Sequence, residues 1–270
     1  MTNDQKFSEI RNFRELASSF GSVAAAYDRG RPGYPQELFD ELERAWGRSL
    51  EGARTLDVGA GTGIAARLLA ARGADVVAVE PSAGMAAQLL AVSPRFPLVR
   101  GVGDDLPFHD DSADLITYAQ AFHWTHPEKS LPEAVRVLRP GGALAVWWNV
   151  FDESVPWVRA RDERLSAALS GRYHGYGHID DLTAPFTAAG LEVHRAKVSW
   201  QRQVPVEQVV DNLTSRSYFA SLPPGRRESL LAGERAALLA EFPDGQVVEP
   251  YVLDLTVAVT PARSAAVTPA

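Results

Sequence analysis

Phe7, Ile10, Phe13, Leu16, Ala17 and Phe20 recur at three- and four-residue spacing, which predicts an amphipathic helix over residues 7–20, either packed on a domain edge or acting as a lid. Residues 21–35 break that period with glycines, prolines, two tyrosines and two arginines, a composition too irregular for one element. A helix over 35–46 follows, with Pro35 suited to its first turn. From Ala53 onward short apolar runs alternate with helical stretches. Strands are predicted from Ala53 to Val58, over 75–80, 96–101, 112–119 and 143–148. Helices are predicted over 64–72, from the N-cap Ser82 through Leu90, and over 127–138, the last stopped by a tight turn at Arg139-Pro140-Gly141-Gly142. Strands alternating with helices in this way build a parallel α/β sheet.

Beyond Asn149 the pattern changes. Residues 157–169 read as a helix, 172–181 as a Gly/His/Tyr loop, 185–189 as a short helix and 191–204 as a strand. Two more helices, 206–213 and 226–242, are separated by Pro223-Pro224-Gly225. Tyr251 to Val259 alternates as a half-buried strand and is expected to pair with 191–204 as the last, antiparallel pair of the sheet. The tail from Thr260, with two prolines and small residues, is expected to fray.

The chemistry concentrates at Leu56-Asp57-Val58-Gly59-Ala60-Gly61-Thr62-Gly63. A buried strand, a glycine turn and a helix N-terminus let backbone approach a ligand and supply unpaired N–H groups. Glu80, about 20 residues on at the end of the second strand, is suited to accept hydrogen bonds from ribose hydroxyls. The same glycines satisfy G-x-G-x-x-A, so a nicotinamide or flavin dinucleotide competes for the cradle on spacing alone.

The chain has 270 residues, 46% of them hydrophobic, enough for a large core, with a formal net charge of −7 that speaks against a surface made to wrap nucleic acid. It has no cysteine, which removes disulfides, thiolate metal sites and cysteine nucleophiles. No long uncharged apolar run exists, and the polar stretch Met1 to Lys6 lacks the core of a signal peptide, so a cytoplasmic protein with no membrane partner is expected.

Several blocks combine with the cradle. Asp57-x-Gly-x-Gly-x-Gly63, then Glu80-Pro81-Ser82, then Leu138-Arg139-Pro140-Gly141-Gly142 together resemble the class I S-adenosylmethionine-dependent methyltransferases. Tyr27-Asp28-Arg29-Gly30-Arg31-Pro32-Gly33-Tyr34-Pro35 and Gln120-Ala121-Phe122-His123-Trp124 narrow the resemblance to the branch similar to trans-aconitate methyltransferase. It is strong from about Phe20 to Val150 and weak elsewhere. It implies an α/β, Rossmann-like, seven-stranded and mostly parallel sheet with an antiparallel last strand, plus a helical lid and cap. Residues 1–35 would form the lid segment, 36–150 the cofactor-binding core, 151–260 the rest of the sheet with an inserted substrate cap, and 261–270 a flexible tail.

The implied cofactor is S-adenosyl-L-methionine, and its candidate contacts are Tyr27, Arg31, Asp57, Gly59, Ala60, Gly61, Gly63, Glu80, Pro81, Ser82, Met85, Gly103, Asp104, Ala119 and Gln120. Arg31 is equally a partner for a substrate carboxylate. Many family members carry an acid for the adenine amino group directly after the third strand; Val102 holds that place here, and Asp104 is the substitute. The candidate substrate contacts are Tyr34, Phe122, Trp124, Trp148, Tyr173 and Tyr176, with Trp147 and Trp157 adding to the aromatic character of the cap.

Ligands of open α/β sheets bind at the carboxyl ends of the strands, which puts His123 where a transferred methyl group is presented. As a base, His123 points to a hydroxyl or nitrogen acceptor; as a neutral donor it orients a carboxylate; as a structural residue it braces its loop. His123 with His126, and His174 with His178, are spaced like some metal ligands, but no carboxylate stands at the partner spacing and no metal is expected. The expected activity is methyl transfer to a small molecule at oxygen, with a carboxylate leading and phenols open, by a monomer or homodimer. An NAD(P)-dependent oxidoreductase and a non-catalytic cofactor-binding module are the rival readings.

Overall fold

A computed structural model describes residues 28, 30–169, 181–214, 219 and 222–262. The predicted helix over 7–20, Tyr27, the loop residues Tyr173, His174, Tyr176 and His178, and the end of the tail lie outside the described residues.

The elements in chain order are α1 (Gln36–Trp46), β1 (Arg54–Val58), α2 (Ile64–Ala71), β2 (Asp75–Val79), α3 (Ala83–Val92), β3 (Leu98–Val99), β4 (Ala113–Ala119), α4 (Pro127–Val137), β5 (Leu138–Phe151), α5 (Pro156–Leu169), α6 (Thr183–Ala188), β6 (Glu192–Pro205), α7 (Val206–Thr214), α8 (Pro224–Glu241) and β7 (Gln246–Val259). The seven strands form one sheet in the order β3-β2-β1-β4-β5-β7-β6. Strands β1 to β5 pair in parallel. The bonds Asp152 N to Pro250 O and Thr260 N to Gly142 O run the opposite register, so β7 lies antiparallel to β5. The Rossmann-like, mostly parallel sheet with an antiparallel last strand is thus the fold of the chain. The order reverses between β1 and β4, the switch point beside which α/β folds bind ligands.

Two compact units share the chain. One comprises Tyr34–Trp148, Asp181–Ala196 and Asp254–Ala270; the other comprises Met1–Gly33, Asn149–Asp180 and Lys197–Leu253. In the first, β4 is buried along almost its whole length, as a central parallel strand covered on both faces must be, and its residues are correspondingly apolar apart from Asp114 and Thr117. Helix α1 presents Leu38, Phe39, Leu42 and Trp46 to the core, and the Trp46 indole donates to Gly141 O at 3.0 Å.

In the second unit, Val204, Val206, Val209, Val210, Leu238 and Val247 form a core, with Trp157 and Phe242 packed on it. Glu249, fully buried on β7, accepts from Arg202 Nε at 2.7 Å and from the Tyr251 hydroxyl at 2.9 Å. A buried charge of this kind is tolerated because it is paired and hydrogen-bonded.

Several elements differ from the sequence expectation: β3 is only Leu98–Val99 where 96–101 is expected, α8 starts at Pro224 inside the expected break, and two strands start elsewhere. Strand β5 begins at Leu138, directly after α4, and Arg139 to Gly142 are a bulge within it rather than a turn before it: Ala113 faces Leu138 while Leu115 faces Ala143. Gly141, at φ 75°, supplies the left-handed residue that the bulge needs. Strand β7 starts at Gln246, five residues before the predicted start, because Pro250 sits inside it. Proline reads as a strand breaker, yet here its carbonyl accepts from Asp152 while no donor is demanded of it.

Candidate functional site

The cradle occupies the turn between β1 and α2. The Gly59 and Ala60 amides both donate to Val79 O, at 2.8 and 3.2 Å, and Gly63 N donates to Ala60 O at 2.8 Å, which draws the loop tightly against β2. The glycines serve different ends. A Cβ on Gly59 would lie 2.6 Å from Ala121 Cβ, so the residue is glycine because the 120–124 turn presses on it. A Cβ on Gly61, at φ 58°, would meet nothing within 4 Å. That open space above the loop is where a ligand can approach backbone directly. Gly63 caps α2, and Thr62 O between them accepts from Arg67 Nη1 at 2.6 Å.

Two carboxylates stand at the cradle. Asp57, at the end of β1, is fully buried; Thr117 Oγ1 on β4 donates to its Oδ1 at 2.7 Å, and its Oδ2 has no hydrogen-bond partner among the described residues. Burial pushes its pKa up to about 7, against the opposing pull of Thr117 and of the Ala66 amide on the first turn of α2. Thr62 Oγ1, buried in the same loop, is likewise without a partner among the described residues. Glu80, 5% exposed, accepts from Gly61 N through Oε2 at 2.8 Å and from Ser82 N through Oε1 at 2.7 Å. Burial raises its pKa, while those two amides and the charge of Arg100 lower it. Each oxygen keeps a further lone pair for a ligand hydroxyl. Arg100 itself donates to Pro81 O, and Ser82 caps α3 by accepting from Met85 N at 3.4 Å. Met85 is buried and Pro81 exposed.

Gly103 lies over the end of β4. A Cβ there would come within 2.7 Å of the Tyr118 hydroxyl, which is buried without a hydrogen-bond partner among the described residues and whose pKa burial and the nearby carboxylates of Asp104 and Glu133 push up. Asp104 is engaged within the protein. Its Oδ1 accepts from His126 N at 2.8 Å and its Oδ2 stands 2.5 Å from His126 Nδ1, so the residue ties down the 122–126 turn.

The chain leaves β4 through Ala119, opposite Trp147, and Gln120, whose φ of 57° is rare for a residue with a side chain. Gln120 N donates to Trp147 O at 2.9 Å, holding that backbone in place. Residues 122–124 then form one 3-10 turn. Phe122 is 2% exposed, with edge contacts to Tyr118 at 5.1 Å and Phe186 at 5.7 Å, so this substrate candidate anchors the turn. His123 and Trp124 are exposed, their ring centroids 4.6 Å apart. The Trp148 indole, 6% exposed on β5, donates to His123 Nδ1 at 3.1 Å. The sequence places Trp148 among the candidate substrate contacts and does not reveal that bond. Tyr34 packs edge-on against Trp147 at 5.7 Å. Arg31, half-buried, belongs to the other unit.

Among the described residues no helix is long and apolar enough to cross a membrane, and no group of three or more His, Cys, Asp or Glu could hold a metal ion.

A family model described as a methyltransferase domain matches residues 56–146, the segment that carries both the cradle and the His123 turn. An uncharacterized methyltransferase of Mycobacterium tuberculosis strain H37Rv is 40% identical over 232 residues, covering 85% of this chain and 89% of that one. Among solved structures, a type II methyltransferase candidate from Anaeromyxobacter dehalogenans matches with a TM-score of 0.62 at 20% identity, over 86% of this chain and 97% of that one. A phosphoethanolamine N-methyltransferase of Haemonchus contortus, in complex with phosphomonomethylethanolamine and S-adenosylhomocysteine, matches with a TM-score of 0.57 at 18% identity, over 93% of this chain and 60% of that one. With the fold and the cradle already described, the near full-length identity to the mycobacterial relative decides the assignment: the chain belongs to the methyltransferases, on their class I, Rossmann-like architecture.

Proposed function

We propose that this methyltransferase uses S-adenosyl-L-methionine to methylate an oxygen of a small molecule, with a carboxylate as the leading acceptor in the trans-aconitate-like manner. The observation that carries the cofactor reading is Asp57, buried behind the glycine turn with one oxygen lacking a partner among the described residues. A carboxylate there attracts a cationic ligand and repels the pyrophosphate that a dinucleotide brings to the same turn. The residues present fit the cofactor: the space above Gly61 admits it, Asp57 and Thr62 offer buried unpartnered oxygens, and Glu80 has lone pairs for ribose hydroxyls. The solved relative holding S-adenosylhomocysteine supports the same reading.

The bound cofactor supplies an electrophilic methyl group on a sulfonium sulfur. The chain's own work is to hold and orient. In this reading Gly61 lets backbone close on the cofactor, Glu80 binds its ribose, and Pro81, Ser82, Met85 and Gly103 line the adenine edge. His123, beside the exposed ring of Trp124, orients the acceptor's nucleophilic oxygen, and Tyr34 contributes to the aromatic surroundings. Correct orientation of reacting groups supplies up to about 7–11 kcal/mol of a barrier, so a displacement of this kind needs no metal and no covalent residue. Within the cell such an enzyme works as a monomer or homodimer in the cytoplasm.

The test is incubation with methyl-labelled S-adenosylmethionine and a panel of small carboxylic acids, phenols and alcohols, read by mass spectrometry. A labelled ester is the expected product. Cofactor binding with no product from any acceptor leaves the binding-module reading in its place.

A further inference from the structure

We infer that Trp148 is a positioning residue that fixes His123 as a hydrogen-bond donor, so that the acceptor must present an oxygen already carrying negative charge. The inference rests on the reading of the protein as an oxygen-directed methyltransferase and names the substrate class within it.

The indole Nε1–H can only donate. It lies 3.1 Å from His123 Nδ1, so that nitrogen presents its lone pair to the indole. The single proton of a neutral imidazole is then on Nε2. A ring in this tautomer can donate from Nε2, but it has no lone pair there with which to remove a proton from an alcohol. Moving the proton to Nδ1, or adding a second one, sets two N–H donors against each other and forfeits the indole bond. The arrangement is held from both sides. Trp148 is 6% exposed on β5, and the His123 turn is pinned by the buried Phe122 ring and by the bonds Trp124 N to Ala121 O and Thr125 N to Phe122 O. The turn also presses on the cofactor cradle, since Ala121 is the residue that a Cβ on Gly59 would strike. His126, three residues on, shows the opposite arrangement: its Nδ1 faces the Asp104 carboxylate and donates to it. The two histidines of one turn thus meet opposite partners at Nδ1, an N–H donor at His123 and a carboxylate at His126, and the donor at Nδ1 leaves His123 its proton on Nε2.

An Nε2–H donor suits a nucleophile that arrives without its proton. A carboxylate is ionised at neutral pH and needs only to be aimed. An aliphatic alcohol needs a base that His123 is not in a state to supply.

The experiment combines nitrogen-15 NMR of histidine-labelled protein with steady-state kinetics of Trp148→Phe, His123→Gln and His123→Ala from pH 5.5 to 9. The kinetics use S-adenosylmethionine with small carboxylic acids and with alcohols as probe acceptors. The expected spectrum shows His123 protonated at Nε2 in the wild type, with that preference relaxed in Trp148→Phe. His123→Gln keeps a donor amide but no base. It is expected to retain kcat within about tenfold, whereas His123→Ala loses about a hundredfold, the scale on which a single oriented donor acts. Carboxylates are expected to react without a limb in the pH profile assignable to histidine. His123 protonated at Nδ1, product from alcohols with none from carboxylates, or His123→Gln as inactive as His123→Ala would each overturn the inference. Absence of any methylated product overturns the parent reading instead, and the tautomer alone then decides this one.

Discussion

Glu80 Oε2 accepts the amide of Gly61 at 2.8 Å, while its other oxygen accepts the amide of Ser82 at 2.7 Å. One carboxylate therefore joins the cradle turn to the N-terminus of α3 before any ligand arrives. Glu80→Ala orphans two largely buried amides, each costing about 1–3 kcal/mol. The expected result is a drop of several degrees in thermal midpoint together with at least a tenfold loss of S-adenosylhomocysteine affinity. A loss of stability with affinity unchanged removes the ribose assignment.

Gly61 and Gly59 separate binding from folding. Gly61→Val points a side chain into open space, at the cost of a left-handed β-branched residue, about 1–2 kcal/mol. The protein is expected to fold and to lose cofactor binding by more than a hundredfold. Gly59→Ala places a methyl 2.6 Å from Ala121 and is expected to reduce soluble yield as well. Normal affinity in folded Gly61→Val contradicts the placement of the cofactor over that glycine.

Asp57 gives the site a pH dependence. Its pKa in the folded chain, about 7, lies above the ordinary aspartate value, so the folded state holds its proton where the unfolded state has released it. Stability from this group is present in full below the unfolded pKa and falls as pH rises toward 7. Asp57→Asn, which still accepts from Thr117, is expected to raise the melting temperature by several degrees at pH 8, and by less at pH 5.5. Binding of a cation runs the other way: wild-type affinity for S-adenosylmethionine is expected to rise between pH 6 and pH 8, and in Asp57→Asn to be lower and flat. Calorimetry at three pH values checks both.

Asp104 braces His126, and through it the turn that carries His123. Asp104→Ala is therefore expected to lower kcat about tenfold with little change in S-adenosylhomocysteine affinity. A selective loss of affinity, with kcat preserved, returns Asp104 to the adenine.

The alternation of strand and helix through β5 was legible because each element has its own period and its own punctuation: Ser82 caps α3, and Pro127 opens α4. The glycine turn between β1 and α2 and the place of Glu80 just after β2 were legible because local backbone geometry sets them. What escaped depends on contacts between distant residues. No local pattern reveals that Arg139 to Gly142 bulge within a strand, because the bulge is defined by the register against β4. Pro250 hid the start of β7 for the same reason. Trp148 and His123 are 25 positions apart, and only the adjacency of β4 and β5 puts the indole beside the turn. A strand order assumed from the family could have suggested that neighbourhood, though not the direction of the bond.

The central claim is that the cradle holds a cationic methyl donor rather than a dinucleotide. Isothermal titration of the purified protein at pH 7.5 with S-adenosylmethionine, S-adenosylhomocysteine and NADH tests it most directly. Saturable one-to-one binding of the first two and no heat from NADH is the predicted result. Binding of NADH, with neither sulfur compound bound, would contradict the account and hand the cradle to an oxidoreductase.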